Sequence, residues 1–231
     1  MVRIRFYSRI SSYFYPMKTA IVIGATGLVG SELINQLIED SNYEKIIVLT
    51  RKNIQQQSPK IEEHLVDFAY IKYYLNFIKG DVIFSCLGTT LKKAGSKKKQ
   101  FEIEYTQVLE TMKFAKENVV STCCVVSSIG ANAKSSNFYL GMKGKLEESI
   151  KILNFEMLLI HRPSILEGKR NEKRRGEKFG LAAIKFFNKI GLFKKYKPIL
   201  GSDVAKALRN SVELNKKGNH IFEMEEMLAI I

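Results

Sequence analysis

Short apolar runs alternate with amphipathic segments along most of the chain. The apolar runs are rich in β-branched residues and predict strands at 19–24, 45–50, 64–68, 81–88, 121–128 and 156–163. Segments with apolar residues at helical spacing predict helices at 28–40, 70–78, 100–118 and 139–153. Because the strands are apolar nearly throughout, they are typical of a parallel sheet that is buried on both faces. The pattern therefore predicts an α/β fold with a doubly wound parallel sheet.

The alternation of strands and helices becomes irregular after Gly168. The segments 179–193, 202–214 and 221–231 have the pattern of helices or of short pieces of secondary structure. We expect residues 169–231 to form a small, mainly helical substrate lobe that packs on the main domain. Such a lobe would lie over the C-terminal ends of the strands, where ligands bind in sheets of this kind.

The predicted main domain spans residues 17–168 and follows a basic extension at 1–16. The extension contains aromatic residues and no acid. It is either disordered, or a targeting or membrane-surface segment that would allow peripheral membrane contact. A further alternative, which we favour, is that the natural start is Met17, since "MKTAIVIGATG" leads directly into the first strand. No apolar run approaches the roughly 18 residues that a spanning helix requires, so we predict no transmembrane segment.

The composition is that of an ordinary globular protein, with 45% hydrophobic and 26% charged residues in 231. The formal net charge is +14, and much of it comes from residues 1–18 and from clusters at 92–99 and 168–178. A basic surface can attract nucleic acid or anionic lipid without specificity. The chain contains no recognisable nucleic-acid-binding module, however. We therefore predict a small-molecule substrate and no specific nucleic-acid partner.

Cysteine and histidine usage bears on metal binding and on the cellular compartment. Cys86, Cys123 and Cys124 form no CxxC pattern, and no histidine lies near them at metal-ligand spacing. We predict no metal site. The pattern favours buried free thiols in a reducing compartment, and we predict a cytoplasmic protein. The oligomeric state is left open between a monomer and a homodimer.

The turn between the first strand and the first helix, "IVIGATGLVGSELI", is rich in glycine. A dinucleotide pyrophosphate needs a tight turn, close access to backbone N–H groups at a helix N-terminus, and a small residue where the helix packs on the strand. The GxxGxxG spacing meets these needs, and the GK[ST] ending of an NTPase loop is absent. The sequence predicts a dinucleotide site at Gly24, Thr26, Gly27, Leu28, Val29 and Gly30.

The second strand ends in "LTRKN", where an NAD site usually has an acid for the ribose 2′-hydroxyl. This chain has Arg51 and Lys52 instead. Two cations suit a 2′-phosphate, and arginine can bind it through a bidentate fork. We therefore favour NADP(H) over NAD(H) as the cofactor.

Two further loops follow predicted strands at the same edge of the sheet. Asp67 and Phe68 either flank the adenine, with Asp67 accepting from its amino group, or form a surface turn. In "CLGTT" at 86–90, Leu87 and Gly88 would pass beside the cofactor, and Thr89 or the next threonine would donate a hydrogen bond.

Tyr139 and Lys143 lie four positions apart on the helix predicted at 139–153, so they share one face. A phenol with a pKa near 10 is a poor base at neutral pH. A nearby ammonium favours the phenolate and brings the pKa of the tyrosine toward a useful range. Ser127 and Ser128 end the strand that precedes this helix.

These motifs resemble the short-chain dehydrogenase/reductases, and more closely their atypical, Tat-interacting-protein oxidoreductase-like branch. The segments "VDF", "CLGTT…KAG", "SSIGA", "SSNFYLGMKGKLEE" and "HRPSIL" stand in the order of that group over residues 18–168. The resemblance implies an epimerase-related Rossmann domain that binds NADP(H).

The resemblance also implies roles for individual residues. Tyr139 would exchange a proton with the substrate oxygen, while Lys143 would lower the pKa of the tyrosine and hold the nicotinamide ribose. Ser128, or alternatively Ser127, would orient the substrate oxygen. Pro163 either lies near the nicotinamide amide or simply ends a strand.

The predicted function is an NADP(H)-dependent oxidoreductase that acts on a small carbonyl or alcohol. One alternative is an NADPH-binding regulatory or sensor protein with little turnover. The other is a nucleotide-sugar epimerase or dehydratase, although those enzymes normally have a larger C-terminal substrate domain.

Overall fold

The computed structural model describes residues 17–167 and 197–231. The basic extension at 1–16, the cluster at 168–178 and the helix predicted at 179–193 lie outside the described residues. Within the described ranges the strands are β1 (Lys18–Ile23), β2 (Tyr43–Thr50), β3 (Ile61–Leu65), β4 (Val82–Ser85), β5 (Thr122–Val126), β6 (Met157–His161), β7 (Leu166–Glu167), β8 (Ile199–Leu200) and β9 (Gly218–Phe222).

The helices of the described residues alternate with these strands. They are α1 (Leu28–Glu39), a 3₁₀ helix (Phe68–Phe77), α2 (Leu91–Ala94), α3 (Lys97–Phe101), a π-helical turn (Glu102–Thr106), α4 (Gln107–Glu117), α5 (Phe138–Ile152), α6 (Gly201–Glu213) and α7 (Met224–Leu228). Each predicted strand is present. β4, β5 and β6 are shorter than the runs that predicted them, β2 begins two residues earlier, and β3 begins three residues earlier.

Seven strands form one parallel sheet in the order β3-β2-β1-β4-β5-β6-β9. The chain builds outward from β1 to β3 and then returns to the other side of β1 with β4. The order therefore reverses between β1 and β4, and this switch point is where ligands bind in doubly wound sheets. The prediction of a doubly wound parallel α/β fold is confirmed.

Helices cover both faces of this sheet, so two apolar cores form. One core lies between the sheet and α1 and α6, and includes Val22, Leu33 and Leu208. The other lies between the sheet and the 3₁₀ helix, α4 and α5, and includes Ile83 and Met112. Burial on both faces explains why the inner strands β4, β5 and β6 are apolar nearly throughout, whereas the edge strands β3 and β9 are more polar and more exposed.

The helix predicted at 70–78 is a 3₁₀ helix that begins at Phe68. The Asp67 carboxylate caps its start by accepting from the backbone N–H of Ala69 at 2.9 Å. The backbone leaves helical geometry at Tyr70 (φ −124°) and again at Tyr74 (φ −112°). Aromatic residues lose side-chain freedom in an α-helix. This aromatic-rich segment therefore forms the tighter and less regular 3₁₀ helix.

The described C-terminal residues form part of the main sheet and of the helices that cover it, whereas we expected a separate, mainly helical lobe. Within the described residues 197–231, α6 and α7 are helical, as the pattern indicated. β9 is a strand, however, and it pairs in parallel with β6, from Met157 opposite Gly218 to His161 opposite Phe222. The described part of this segment therefore contributes a strand, β9, to the main sheet and a helix, α6, to one of its faces. Long-range pairing outweighs the weak local pattern of this segment.

Candidate functional site

The glycine turn lies between β1 and α1, beside the end of β4. Gly24 has φ +81°, and a Cβ there would lie 2.4 Å from the backbone carbon of Cys86. A Cβ on Gly30 would lie 2.2 Å from the carbonyl oxygen of Gly24. Gly27 donates its N–H to that same oxygen at 3.0 Å and occupies the N-cap position of α1. Only glycine fits the first and third positions, because backbone fills the space that a side chain would need.

The first turn of α1 has the features of a phosphate cradle. The N-cap residue Gly27 provides no side chain to cap the helix. Thr26 is exposed, whereas Val29 is buried, so Val29 can offer only its backbone. The side chain of Leu28 approaches Gly201 at the start of α6. Unsatisfied N–H groups at a helix N-terminus suit an anionic pyrophosphate, so the residues present fit a dinucleotide.

The two cations expected to bind a 2′-phosphate, Arg51 and Lys52, are exposed at the end of β2. The Thr50 hydroxyl donates to the carbonyl of Lys52 at 2.7 Å and bends the chain there. Asp67 is exposed, and one of its oxygens accepts from the 3₁₀ helix. Phe68 is only 3% exposed and packs in the core, so its side chain cannot flank an adenine on the surface. Only the backbone of Phe68 could contact an adenine there.

The loop after β4 lies against a buried carboxylate. The N–H of Thr89 donates to Glu104 Oε1 at 3.2 Å. A Cβ on Gly88 would lie 3.7 Å from Glu104 Oε2, so this glycine is not required for packing there. The hydroxyl of Thr90 accepts from the N–H of Lys93 and caps α2. Leu87 is half-buried beside these residues.

Tyr139 and Lys143 share one face of α5, as their spacing predicts. The Nζ atom of Lys143 lies 5.9 Å from the centre of the Tyr139 ring. That ammonium forms an ion pair with Glu104 Oε2 at 3.0 Å and also donates to the carbonyl of Val126 at 3.4 Å. The side chains of Lys143 and Glu104 are 4% and 1% exposed. The site therefore contains a buried ion pair directly beside the phenol.

The Lys143 ammonium is kept charged by its neighbours. Burial by itself would lower the pKa of Lys143, because a low-dielectric environment disfavours the charged form. The negative charge that Tyr139 carries as a phenolate and the charge of Glu104 more than offset burial, and Glu147 contributes in the same direction. The pKa of Lys143 is therefore raised above its ordinary value.

The two serines after β5 differ in environment. Ser127 is buried, and its hydroxyl donates to Glu147 Oε1. Glu147 also accepts two hydrogen bonds from Arg162, at 3.0 and 2.6 Å. The hydroxyl of Ser128 is half-buried and donates only weakly, at 3.4 Å, to the carbonyl of Ile129. Ser128 is thus the serine whose hydroxyl is better placed to meet a ligand.

Pro163 lies in the loop after β6, at the same edge of the sheet. It is buried, and its carbonyl accepts from the N–H of Ile129 at 3.0 Å, so the loops after β5 and β6 lie together. The site residues predicted from the sequence lie in the loops after β1 to β6, in the first turn of α1, at the start of the 3₁₀ helix or on α5.

Sequence reasoning missed the carboxylates that surround Lys143. Glu104 and Glu147 are buried, and Arg162 extends the network to Glu223 at 3.3 Å. A glutamate four residues after Lys143, on the same helical face, was a signal for Glu147. No comparable signal existed for Glu104, because a π-helical turn shifts it off the regular helical pattern.

Two negative findings concern the described residues. Between 17 and 167 and between 197 and 231, no three His, Cys, Asp or Glu side chains cluster as metal ligands would. In those same ranges, every helix is too short or too polar to cross a membrane. Desolvation raises the pKa of the half-buried Cys86 to about 12 and raises that of the buried Cys123 further.

Comparison with known proteins agrees with this geometry. Residues 20–136 match the model of the NAD dependent epimerase/dehydratase family. The mitochondrial protein FMP52 of Eremothecium gossypii is 30% identical over 92% of this chain and 96% of its own length. FMP52 of Candida glabrata is 37% identical over 69% of this chain and 68% of its own. HTATIP2 of Rattus norvegicus is 30% identical, covering 75% of this chain and 72% of its own.

Solved structures share the fold at low sequence identity. UDP-N-acetylglucosamine 4-epimerase from Methanobrevibacter ruminantium aligns with a TM-score of 0.68 at 15% identity, covering 90% of this chain and 77% of that one. MoeE5, solved with UDP-glucose and NAD, aligns with a TM-score of 0.66 at 14% identity, covering 91% and 79%. These likenesses show the Rossmann fold.

The relatives correct one expectation. FMP52 proteins from Eremothecium gossypii, Candida glabrata and Kluyveromyces lactis are named as mitochondrial. The prediction of a cytoplasmic protein is therefore wrong. Buried free thiols point to a reducing environment, but the cytoplasm is not the only one in a cell.

Proposed function

Because the chain belongs to the NAD-dependent epimerase/dehydratase family, we propose that it is an NADP(H)-dependent oxidoreductase acting on a small carbonyl or alcohol. The observation that carries this proposal is the buried Lys143 ammonium beside the Tyr139 ring. A phenol next to a fixed positive charge is equipped to exchange a proton with a substrate oxygen.

The glycine turn would hold the cofactor. Gly24 and Gly30 let the start of α1 pack closely against the end of β1. Gly27 leaves the N-terminus of α1 without a side-chain cap, so its N–H groups would be available to a pyrophosphate. Arg51 and Lys52 at the end of β2 suit a 2′-phosphate, which supports NADP(H) over NAD(H). When bound, the cofactor supplies or accepts the hydride.

The protein residues would handle the proton. In the reducing direction, the Tyr139 hydroxyl donates its proton to the substrate oxygen and becomes a phenolate. The Lys143 ammonium stabilises that phenolate by charge. The Ser128 hydroxyl donates a hydrogen bond to the substrate oxygen and holds it near the tyrosine. In the oxidising direction the phenolate takes the proton back.

Turnover by the Tyr139→Phe variant tests the proposal. NADPH oxidation is measured spectroscopically with a panel of aldehydes, ketones and quinones, and NADPH affinity is measured by fluorescence. We expect the turnover rate to fall at least roughly 100-fold, because general acid–base catalysis typically contributes that much, while NADPH affinity changes little. Tyr73→Phe, at an exposed tyrosine, serves as the matched control and should leave both unchanged.

Other outcomes of this experiment separate the alternatives. Absence of NADPH oxidation across the panel, with NADPH binding intact, would contradict the oxidoreductase and favour a regulatory or sensor protein. The family match and the epimerase folds favour an epimerase or dehydratase as the second candidate. Adding UDP-glucose and analysing products tests it, since conversion without net NADPH oxidation would favour that reaction.

A further inference from the structure

The carboxylate of Glu104 is buried in the interior of the candidate site. Its side chain is 1% exposed. Oε2 lies 3.0 Å from the Nζ atom of Lys143, and Oε1 accepts from the N–H of Thr89 at 3.2 Å. Oε1 also accepts from Nε2 of Gln100 at 3.0 Å. Both oxygens are therefore engaged, and the carboxylate is fixed in place by groups from three segments of the chain.

A π-helical turn places this carboxylate. The turn spans Glu102–Thr106, between α3 and α4. A π turn holds one more residue than an α turn, so side chains within it are rotated away from the regular helical stripe. π turns occur frequently at functional sites. Here the turn directs Glu104 toward α5, where Lys143 lies.

The charged groups around Lys143 can be assigned to partners. Tyr139 and Glu147 lie on the same helix as Lys143, and Glu104 approaches from the π-helical turn. Glu147 is bound by Arg162, from the end of β6, through two hydrogen bonds. Among the described residues, Glu104 is thus the carboxylate in direct contact with the Lys143 ammonium.

We propose that Glu104 is a positioning residue for proton transfer, whose carboxylate fixes the Lys143 ammonium beside Tyr139 and joins it to the loop at 87–90. This inference rests on the proposed role of Tyr139 and Lys143. The connection runs from Lys143 through the carboxylate to the N–H of Thr89, in the loop expected to pass beside the cofactor. The proton-transfer pair and that loop are therefore held in one arrangement.

The negative charge has a second effect, on proton affinity. A buried ammonium without a carboxylate partner loses its proton readily, because burial disfavours its charge. Removing the charge of Glu104 therefore lowers the pH at which the first proton leaves the Tyr139–Lys143 pair. That pH belongs to the coupled pair and not to either residue alone.

Titration of the Glu104→Gln variant tests the inference. Protein labelled with ¹³Cζ-tyrosine and ¹³Cε-lysine is titrated by NMR, and the two signals are assigned with Tyr139→Phe and Lys143→Arg. We expect the first deprotonation of the pair to occur at least about one pH unit lower than in the unchanged protein, because a direct charge partner shifts a pKa by that much or more. Glu102→Gln, at a more exposed glutamate of the same turn, is the matched control and should not shift it.

If the first deprotonation of the pair in Glu104→Gln occurs at the same pH as in the unchanged protein, or at a higher pH, the inference is overturned. A carboxylate with a merely structural role would leave that pH unchanged. If that variant does not fold, Glu104→Asp replaces it, retaining the charge but shortening its reach to Lys143. A smaller shift in the same direction is then expected, and no shift would again overturn the inference. Because the NMR titration needs no turnover, its outcome is independent of whether the panel of carbonyls is reduced.

Discussion

At the scale of single residues, this site combines buried charges with exposed ones. Lys143 and Glu104 are buried together, and each satisfies the other. Arg51 and Lys52 are exposed at the end of β2. A buried pair sets the proton affinity of its surroundings and is little affected by salt. An exposed pair of cations can instead accept a ligand phosphate. The two sets of charges thus suit proton transfer and cofactor recognition respectively.

Arg51→Ala is expected to weaken NADPH binding roughly tenfold or more, since a hydrogen bond to a charged group is worth about 1.5–3 kcal/mol. NADH lacks the 2′-phosphate, so its affinity should change little. Fluorescence titration with both cofactors measures the two effects, and Lys79→Ala, at an exposed lysine elsewhere, is the control. An equal loss of affinity for both cofactors would exclude a role of Arg51 in binding the 2′-phosphate.

At the scale of elements, two local departures from regular structure form the site. The turn between β1 and α1 brings the helix so close to the strand that Gly30 meets the carbonyl of Gly24. The π-helical turn at Glu102–Thr106 reorients one side chain of a long helical segment toward α5. The first departure brings the start of α1 against the end of β1, and the second brings Glu104 to Lys143.

Gly30→Ala is expected to force α1 away from the β1 turn, because the new Cβ would lie 2.2 Å from the Gly24 carbonyl oxygen. Overpacking of this kind destabilises a protein by about 1–3 kcal/mol. Urea unfolding should show that loss, and NADPH affinity should fall with it. Ser31→Ala, one position further along α1, should leave NADPH affinity unchanged. Normal NADPH binding by Gly30→Ala would argue against the cradle.

At the scale of the whole molecule, the parallel sheet brings distant segments to one edge. The ends of β1, β4, β5 and β6 are neighbours there, so their loops meet. Arg162 joins these parts by pairing with Glu147 on α5 and with Glu223 at the start of α7. The C-terminal strand β9 extends the same sheet beyond β6. The ion pairs of Arg162 therefore connect the C-terminal segment to α5, the helix that bears Tyr139.

Arg162→Met is expected to lower the free energy of unfolding by about 3–5 kcal/mol, because it leaves the buried Glu147 carboxylate without its cation. Urea unfolding measures this change. Lys217→Met is the control, since Lys217 and Glu156 form an exposed pair at 3.4 Å, which should contribute less than about 1 kcal/mol. Equal effects of the two substitutions would show that the Arg162 network adds no more than an exposed pair.

Several features could be inferred from local sequence alone. The apolar strand runs determined the doubly wound parallel sheet, because burial on both faces leaves no polar alternation. The spacing of the glycines determined the tight turn after β1, because Gly24 and Gly30 have no room for a Cβ and Gly24 has a positive φ. The four-residue spacing determined that Tyr139 and Lys143 share a helical face. The last two are properties of a single element or a single turn, and the first follows from one local pattern repeated in successive strands.

Only the tertiary structure decided what surrounds the lysine and where the C-terminus lies. Glu104 and Lys143 come from different elements and meet because α5 packs on the π-helical turn. β9 is a strand because β6 offers it a free edge. The burial of Ser127 by Glu147 left Ser128 as the more accessible hydroxyl. A local sequence pattern shows whether a segment is a helix or a strand and which of its faces is apolar. Which residues of two different elements meet depends on packing that no short stretch of sequence encodes.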